Sequence, residues 1–208
     1  PIEPGDVCWA DLNNDGVINN LDRVKVGNLF PTVTGGFSTT LGYKDFSLYA
    51  RFDYALGHTL YNDLAARSLG QYQGSFNIID MVKDSWSETN QNTDIPKFYY
   101  ADQLSKKNIT RSNNGLTAVD NNSSRFYEKG DYLALREITL TWNLPKKWIN
   151  KALMSNASVY VTGQNLFYIT GYTGVSPEPA VDTTYGQGLD NGRYPTPKTV
   201  LLGLSVTF

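Results

Sequence analysis

Apolar and polar residues alternate with a period of two in five separated stretches of this chain. That is the pattern of strands whose two faces meet different surroundings. The cleanest run is KTVLLGLSVTF. Val200, Leu202, Leu204, Val206 and Phe208 share one face, and Thr199, Gly203, Ser205 and Thr207 the other, with Leu201 the apolar exception. Phe46, Leu48, Ala50, Phe52, Tyr54 and Leu56 alternate with Ser47, Tyr49, Arg51, Asp53 and Ala55. In the preceding run, 35–43, Phe37, Leu41 and Tyr43 oppose Ser38, Thr40 and Gly42, and Lys44 and Asp45 make a connection short enough to close a hairpin. A fourth strand is expected over 132–144, with Ile138, Leu140, Trp142 and Leu144 against Glu137, Thr139, Thr141 and Asn143. The fifth, over 157–169, sets Val159, Val161, Gly163 and Phe167 against Tyr160, Thr162 and Gln164; Leu166 and Tyr168 fall on its polar side.

Strand length selects among all-β architectures. The eleven residues 46–56 reach roughly 36 Å, and tilted by about 40° they cover about 28 Å of height, close to the apolar band of a membrane barrel. The connections alternate as well: residues 44 and 45 and residues 145–156 are short, whereas 58–131 and 170–197 are long. Tight turns at one end and large loops at the other characterise outer-membrane barrels, with the turns periplasmic and the loops extracellular. The expected division is 1–33 extracellular loop, 34–57 hairpin, 58–131 long extracellular loop, 132–169 strand pair with a short periplasmic connection, 170–197 extracellular loop and 198–208 terminal strand. Short helices are expected over 77–88 and 145–153, and the Ser-, Asn- and Thr-rich stretch 105–125 reads as flexible.

Composition agrees with this reading. Charged residues are 18% of the chain, below the roughly 25% of soluble domains. No run of 18 apolar residues is present to make a transmembrane helix. A net charge of −2 gives no basic surface for nucleic acid. The opening PIEPGDV, without an initiator Met or a signal peptide, reads as the interior of a larger precursor. The single cysteine, Cys8, has no disulfide partner and is expected to be a buried or semi-buried thiol.

One motif carries chemistry. In DLNNDGVINNLD, side-chain oxygens fall at positions 1, 3, 5, 9 and 12 of a twelve-residue loop: Asp11, Asn13, Asp15, Asn19 and Asp22. Gly16 stands at position 6, where the chain turns sharply, Val17 at position 7 can offer its carbonyl, and Ile18 at position 8 can pin the loop to a core. Hard oxygen donors at this spacing suit one Ca²⁺, with the shorter Asp replacing Glu at position 12; the alternative is a polar Asx-rich turn without metal. No general base or nucleophile lies beside the loop, so the expected role is a structural staple. His58 is the only histidine, which leaves little for a zinc site or a catalytic triad, and no enzyme activity is expected. Arg51 and Asp53 project from the polar face of their strand, where they either pair within a barrel lumen or give the wall its ordinary polarity. Tyr72, Trp86, Tyr99, Tyr100, Tyr172 and Tyr185 lie in loops, where they either stack on sugar rings or pack the loops themselves.

With the strands placed, several phrases resemble one family. GDVCWADLNNDGVINNLDRVKVGN, GGFSTTLGYKDFSLYARFDYALG, NTDIPKF, YLALREITLTWNLPKKWI, ASVYVTGQNLFYITGYTGVSPE and YPTPKTVLLGLSVTF are similar, in the same order, to the C-terminal part of SusC/RagA-type TonB-linked transporters. The resemblance implies the last strands, about five, of a large barrel of about 22 strands with a plugged lumen. It further implies uptake of glycans or peptides across the bacterial outer membrane. The implied partners are a SusD-like surface lipoprotein, the remainder of the barrel and plug, and the TonB complex. Asn165, Leu166 and Phe167 match the penultimate strand, Phe208 matches the terminal aromatic, and Cys8 stands where a Lys or Arg is common. Two other readings are a secreted Ca²⁺-binding β-sandwich that binds carbohydrate and a dockerin-like adaptor. The sequence does not name the substrate.

Overall fold

The computed structural model describes residues 2–69, 79–99, 108, 123–178, 181–182 and 186–208. Its centre is a five-stranded antiparallel sheet built from β1 (Val33–Tyr43), β2 (Phe46–Leu56), β5 (Tyr132–Asn143), β6 (Asn156–Thr170) and β10 (Thr199–Thr207), in that spatial order. Between them, β3 (Thr59–Asn62), β4 (Tyr127–Lys129) and β9 (Leu189–Asp190) form a three-stranded sheet, and β7 (Val181–Asp182) pairs with β8 (Gly186–Gln187).

The hairpin follows from its alternation. Eleven residue pairs join β1 to β2, from Val33 opposite Leu56 to Tyr43 opposite Phe46. Lys44 takes the turn at φ 54°. In the connection from β5 to β6, Pro145 precedes the one-turn helix α2 (Lys146–Ile149), and Leu153 ends the following 3₁₀ turn at φ 58°. Both short connections lie at one end of the sheet, and the segments 57–131 and 171–198 leave from the other.

Register assembles the alternating runs into two continuous faces. Leu41, Leu48, Leu140, Val161 and Leu202 form one row across all five strands. Phe46 stacks on Trp142 at 6.1 Å and Trp142 meets Trp148 edge-on at 5.9 Å, so aromatics gather at the short-turn end. This face is bare: Phe37, Leu140, Phe167, Val200 and Leu204 are all exposed, and Leu202 is 81% exposed. A β-sandwich would cover such a face with a second sheet about 10 Å away, and no second layer covers it among the described residues. The sandwich alternative fails on this point. A contiguous apolar surface of this extent is what the lipid-facing wall of a membrane barrel presents.

Two irregularities lie on neighbouring strands. Arg136 is an extra residue of β5 between the pairs Phe52–Leu135 and Arg51–Glu137. This bulge explains why Leu133 and Leu135 share a face with Ile138 and Leu140 despite opposite parity. In β6, Asn165 and Leu166 are interposed between Gln164, opposite Glu137, and Phe167, opposite Leu135; Asn165 has φ 51°. Leu166 therefore folds back over Gly163, where a Cβ would meet its side chain at 2.9 Å. Strict alternation puts Leu166 on the polar side; the interposed residues return it to the apolar face. Tyr168 stays on the polar side as expected.

At the loop end the chain builds a second core. Tyr61, Ala66, Leu69, Phe126 and Leu189 are buried together. The helix α1 (Asp63–Leu69) starts where the Asn62 side chain accepts a hydrogen bond from Ala65 N at 3.0 Å, and Asp63 pairs with Arg67 one turn on at 2.7 Å. Of the helix expected over 77–88, residues 80–84 form a 3₁₀ turn and residues 77 and 78 lie outside the described part. Most of 105–125 also lies outside it. Asn108, within that stretch, is buried: its side chain accepts from Val7 N at 2.8 Å and donates to the Lys97 carbonyl at 2.8 Å.

Candidate functional site

The Asx-rich loop folds on its own backbone. Asp11 accepts from Asp15 N at 3.2 Å and Gly16 N at 2.8 Å. Asn13 accepts from Asp15 N at 3.1 Å, and Asp15 accepts from Val17 N at 2.8 Å. Asn19 accepts from Leu21 N at 2.7 Å, while its amide donates to the Val17 carbonyl at 3.3 Å. Asp22 closes the ring, taking Leu12 N on one oxygen at 2.8 Å and Asn19 N on the other at 2.7 Å. Those two backbone donors hold its carboxyl below the ordinary carboxylate value. Gly16 turns at φ 81° and Asn14 at φ 59°.

All six expected donors thus lie on one closed loop with an all-oxygen donor set. Among the described residues no group of three or more His, Cys, Asp or Glu forms a metal-holding cluster. Ile18 does not pin the loop: it is 49% exposed. The loop is held at its roots instead. On one side Val7 bonds Asn108 and Lys97 N bonds the Gly5 carbonyl at 2.8 Å; on the other Thr59 N bonds the Asn28 carbonyl at 2.6 Å. Cys8 is exposed rather than buried or semi-buried, on the residue after the Val7 tie to Asn108.

A second constellation joins Arg51 and Asp53, expected on the polar face, to partners that the sequence did not show. On the polar face Arg51 faces Glu137 across the strands at 4.0 Å, and Asp53 takes the guanidinium of Arg136. Arg51 and Asp53 are thus each paired with β5. The bulge aims Arg136 at Asp53, at Tyr168 Oη 3.1 Å away and at Glu178. Nearer the loop end, Asp190 accepts from Tyr172 Oη at 2.7 Å and Val175 N at 3.1 Å, and Glu128 accepts from Thr173 N at 2.9 Å. Burial and the Asp190 carboxylate push the Tyr172 phenol well above its usual range. His58 is buried with Nε2 2.8 Å from the Pro177 carbonyl.

Three of the loop aromatics are committed to packing. Trp86 lies on Gly5, Tyr99 donates to Asp6 at 2.9 Å, and Tyr172 is buried on Asp190. Tyr72, Tyr100 and Tyr185 lie outside the described residues.

A bare apolar face, a polar face carrying ion pairs, aromatics at the turn end and long packed loops at the other define a sector of a transmembrane β-barrel, left open in this chain. Comparison with known proteins narrows this. The TonB-dependent receptor P3 of Formosa agariphila is 32% identical over 99% of this chain and 19% of its own length. The TonB-dependent receptor SusC of Bacteroides thetaiotaomicron is 25% identical over 99% of this chain and 18% of its own length. Among solved structures, the RagAB peptide importer in the 'closed-closed' state aligns with a TM-score of 0.61 at 25% identity, covering 86% of this chain and 18% of that one. No family model matches. The chain belongs to the TonB-dependent receptors of SusC/RagA type. It spans about a fifth of the length of the curated relatives it matches.

Proposed function

We propose that this chain is a wall sector of a TonB-dependent outer-membrane importer that takes up glycans or peptides together with a SusD-like surface lipoprotein. The observation that carries the reading is the end-to-end similarity to TonB-dependent receptors, joined to a sheet with one face bare and apolar. The work of such a wall is binding and passage, with no covalent step. The polar face, with Arg51, Asp53, Arg136 and Glu137, turns to the interior, and the loops 57–131 and 171–198 face the outside. The test is uptake by the full-length receptor in its outer membrane, with labelled oligosaccharides and labelled peptides offered separately. TonB-dependent uptake of one class is the expected result. Absence of TonB-dependent uptake of either class, with the receptor correctly assembled, overturns the reading.

The loop 11–22 is, in this reading, a Ca²⁺ staple of an external loop. Its support is the closed ring of backbone-to-side-chain hydrogen bonds around an all-oxygen donor set. Asp11, Asn13, Asp15, Asn19 and Asp22 would hold the ion through side chains and Val17 through its carbonyl. Calorimetry with Ca²⁺ on the full-length receptor and its Asp15→Ala variant decides: equal heats remove the metal.

A further inference from the structure

The connection between β6 and β10 meets the polar face of the main sheet at Arg136 and Tyr168. Arg136 makes a two-pronged contact with Asp53, with Nη2 2.9 Å from Oδ2, and the same Nη2 meets Oε1 of Glu178. Tyr168 donates its hydroxyl to that Glu178 oxygen at 2.7 Å and lays its ring 5.5 Å from the guanidinium carbon. The Arg136 side chain is mostly buried, and two carboxylates share its single charge. The pair with Asp53 is complete without Glu178, because Asp53 alone supplies the planar fork that a guanidinium takes up. Glu178 is therefore held by the sheet without being needed to satisfy it.

The segment that carries Glu178 is fixed along its length from the other side. Thr173 is tied to Glu128, Val175 to Asp190, and the Pro177 carbonyl to His58. Its route passes from the small sheet to the polar face of the large one. We propose that residues 171–178 are a strap drawn across the polar face, with Glu178 on Arg136 as its catch and Asp53 as the group that keeps the catch aimed when the strap lets go. The bulge gives the catch its position, since it turns Arg136 toward the face where Asp53 and Tyr168 stand. Loss of the contact frees the end of the strap and leaves the wall intact. This rests on the reading of the polar face as the barrel interior.

The test is amide hydrogen exchange on the purified full-length receptor, comparing wild type, Glu178→Gln and Arg136→Met. In Glu178→Gln, the amides of Val175, Ser176 and Glu178 are expected to exchange at least tenfold faster, with β5 and β6 unchanged. Arg136→Met is expected to accelerate the strap further, because it leaves Asp53 and Glu178 facing each other as like charges. If Arg136→Met fails to assemble, the Glu178→Gln comparison stands by itself. Unchanged exchange at Val175, Ser176 and Glu178, or acceleration that spreads through β5 and β6, overturns the catch. The measurement uses no substrate and no TonB: a receptor that imports neither class of cargo but shows the exchange difference sinks the transport reading and keeps the strap.

Discussion

Tyr160 of β6 lays its ring across Gly203, its directly paired neighbour on β10, so closely that a Cβ on residue 203 would lie 2.1 Å from the ring. The same economy recurs where Tyr54 covers Gly35 at the paired position of β1. An aromatic laid over a cross-strand glycine supplies the packing that the glycine lacks.

Gly203→Val should therefore destabilise the assembled receptor. The ring of Tyr160 must leave its place, and overpacking of this kind costs about 1–3 kcal/mol. The midpoint of urea unfolding of the full-length receptor is the measurement. The pair Gly203→Val with Tyr160→Ala should recover part of the loss, since the clash goes with the ring.

The two faces of β10 should respond oppositely to charge. Leu202→Arg puts a cation on the bare apolar face and should cost about 2–4 kcal/mol if residue 202 lies near mid-membrane. Ser205→Arg, on the opposite face, should be tolerated. Assembly yield of the full-length receptor in the outer membrane separates the variants; equal yields would deny that the faces differ in surroundings.

Loop-end packing should depend on Asp190, which accepts from Tyr172 Oη, Val175 N and Gly192 N. Tyr172→Phe removes one of these bonds and is expected to cost about 1 kcal/mol. Asp190→Ala strands the buried Tyr172 hydroxyl and should cost about 1–3 kcal/mol if it stays unpaired. Limited proteolysis of the loops reads the difference, with Asp190→Ala cut faster.

Within the calcium reading, Gly16 offers a discriminating pair. Nothing lies within 4 Å of a Cβ placed there, yet the backbone sits at φ 81°. Gly16→Val meets only backbone strain, about 1–2 kcal/mol, and should weaken Ca²⁺ binding roughly tenfold. Gly16→Asn, a residue that tolerates this conformation, should bind nearly as the wild type. Calorimetry compares the two.

Much of the large sheet was legible because its strands are long and half apolar. The hairpin 33–56 and the terminal strand could be read from alternation, since every second side chain faces the same surroundings. The breaks at Arg136, Asn165 and Leu166 could not, because an extra residue shows only when the neighbouring strand fixes the register. LALRE carries a trace of the first break: Leu133 and Leu135 have one parity, Ile138 and Leu140 the other. The small sheet escaped notice because strands of two to four residues carry no measurable period. In the Asx-rich loop Ile18 finds no core to pin: spacing says where a side chain sits along a loop and nothing about whether a core waits there. The Arg136 cluster was out of reach for a similar reason, since Asp53 and Glu178 are 125 positions apart and meet only through register.

The sheet crosses from one end to the other five times, and five is odd. Residues 2–32 and Phe208 therefore stand at opposite ends of the strands, whichever end faces the cell. Epitopes inserted near residue 20 and next to Phe208 would never be reachable from the same side of an intact membrane. A single pair of antibodies on unbroken cells, followed by the same pair on lysed cells, would turn the parity of a strand count into a map of inside and outside.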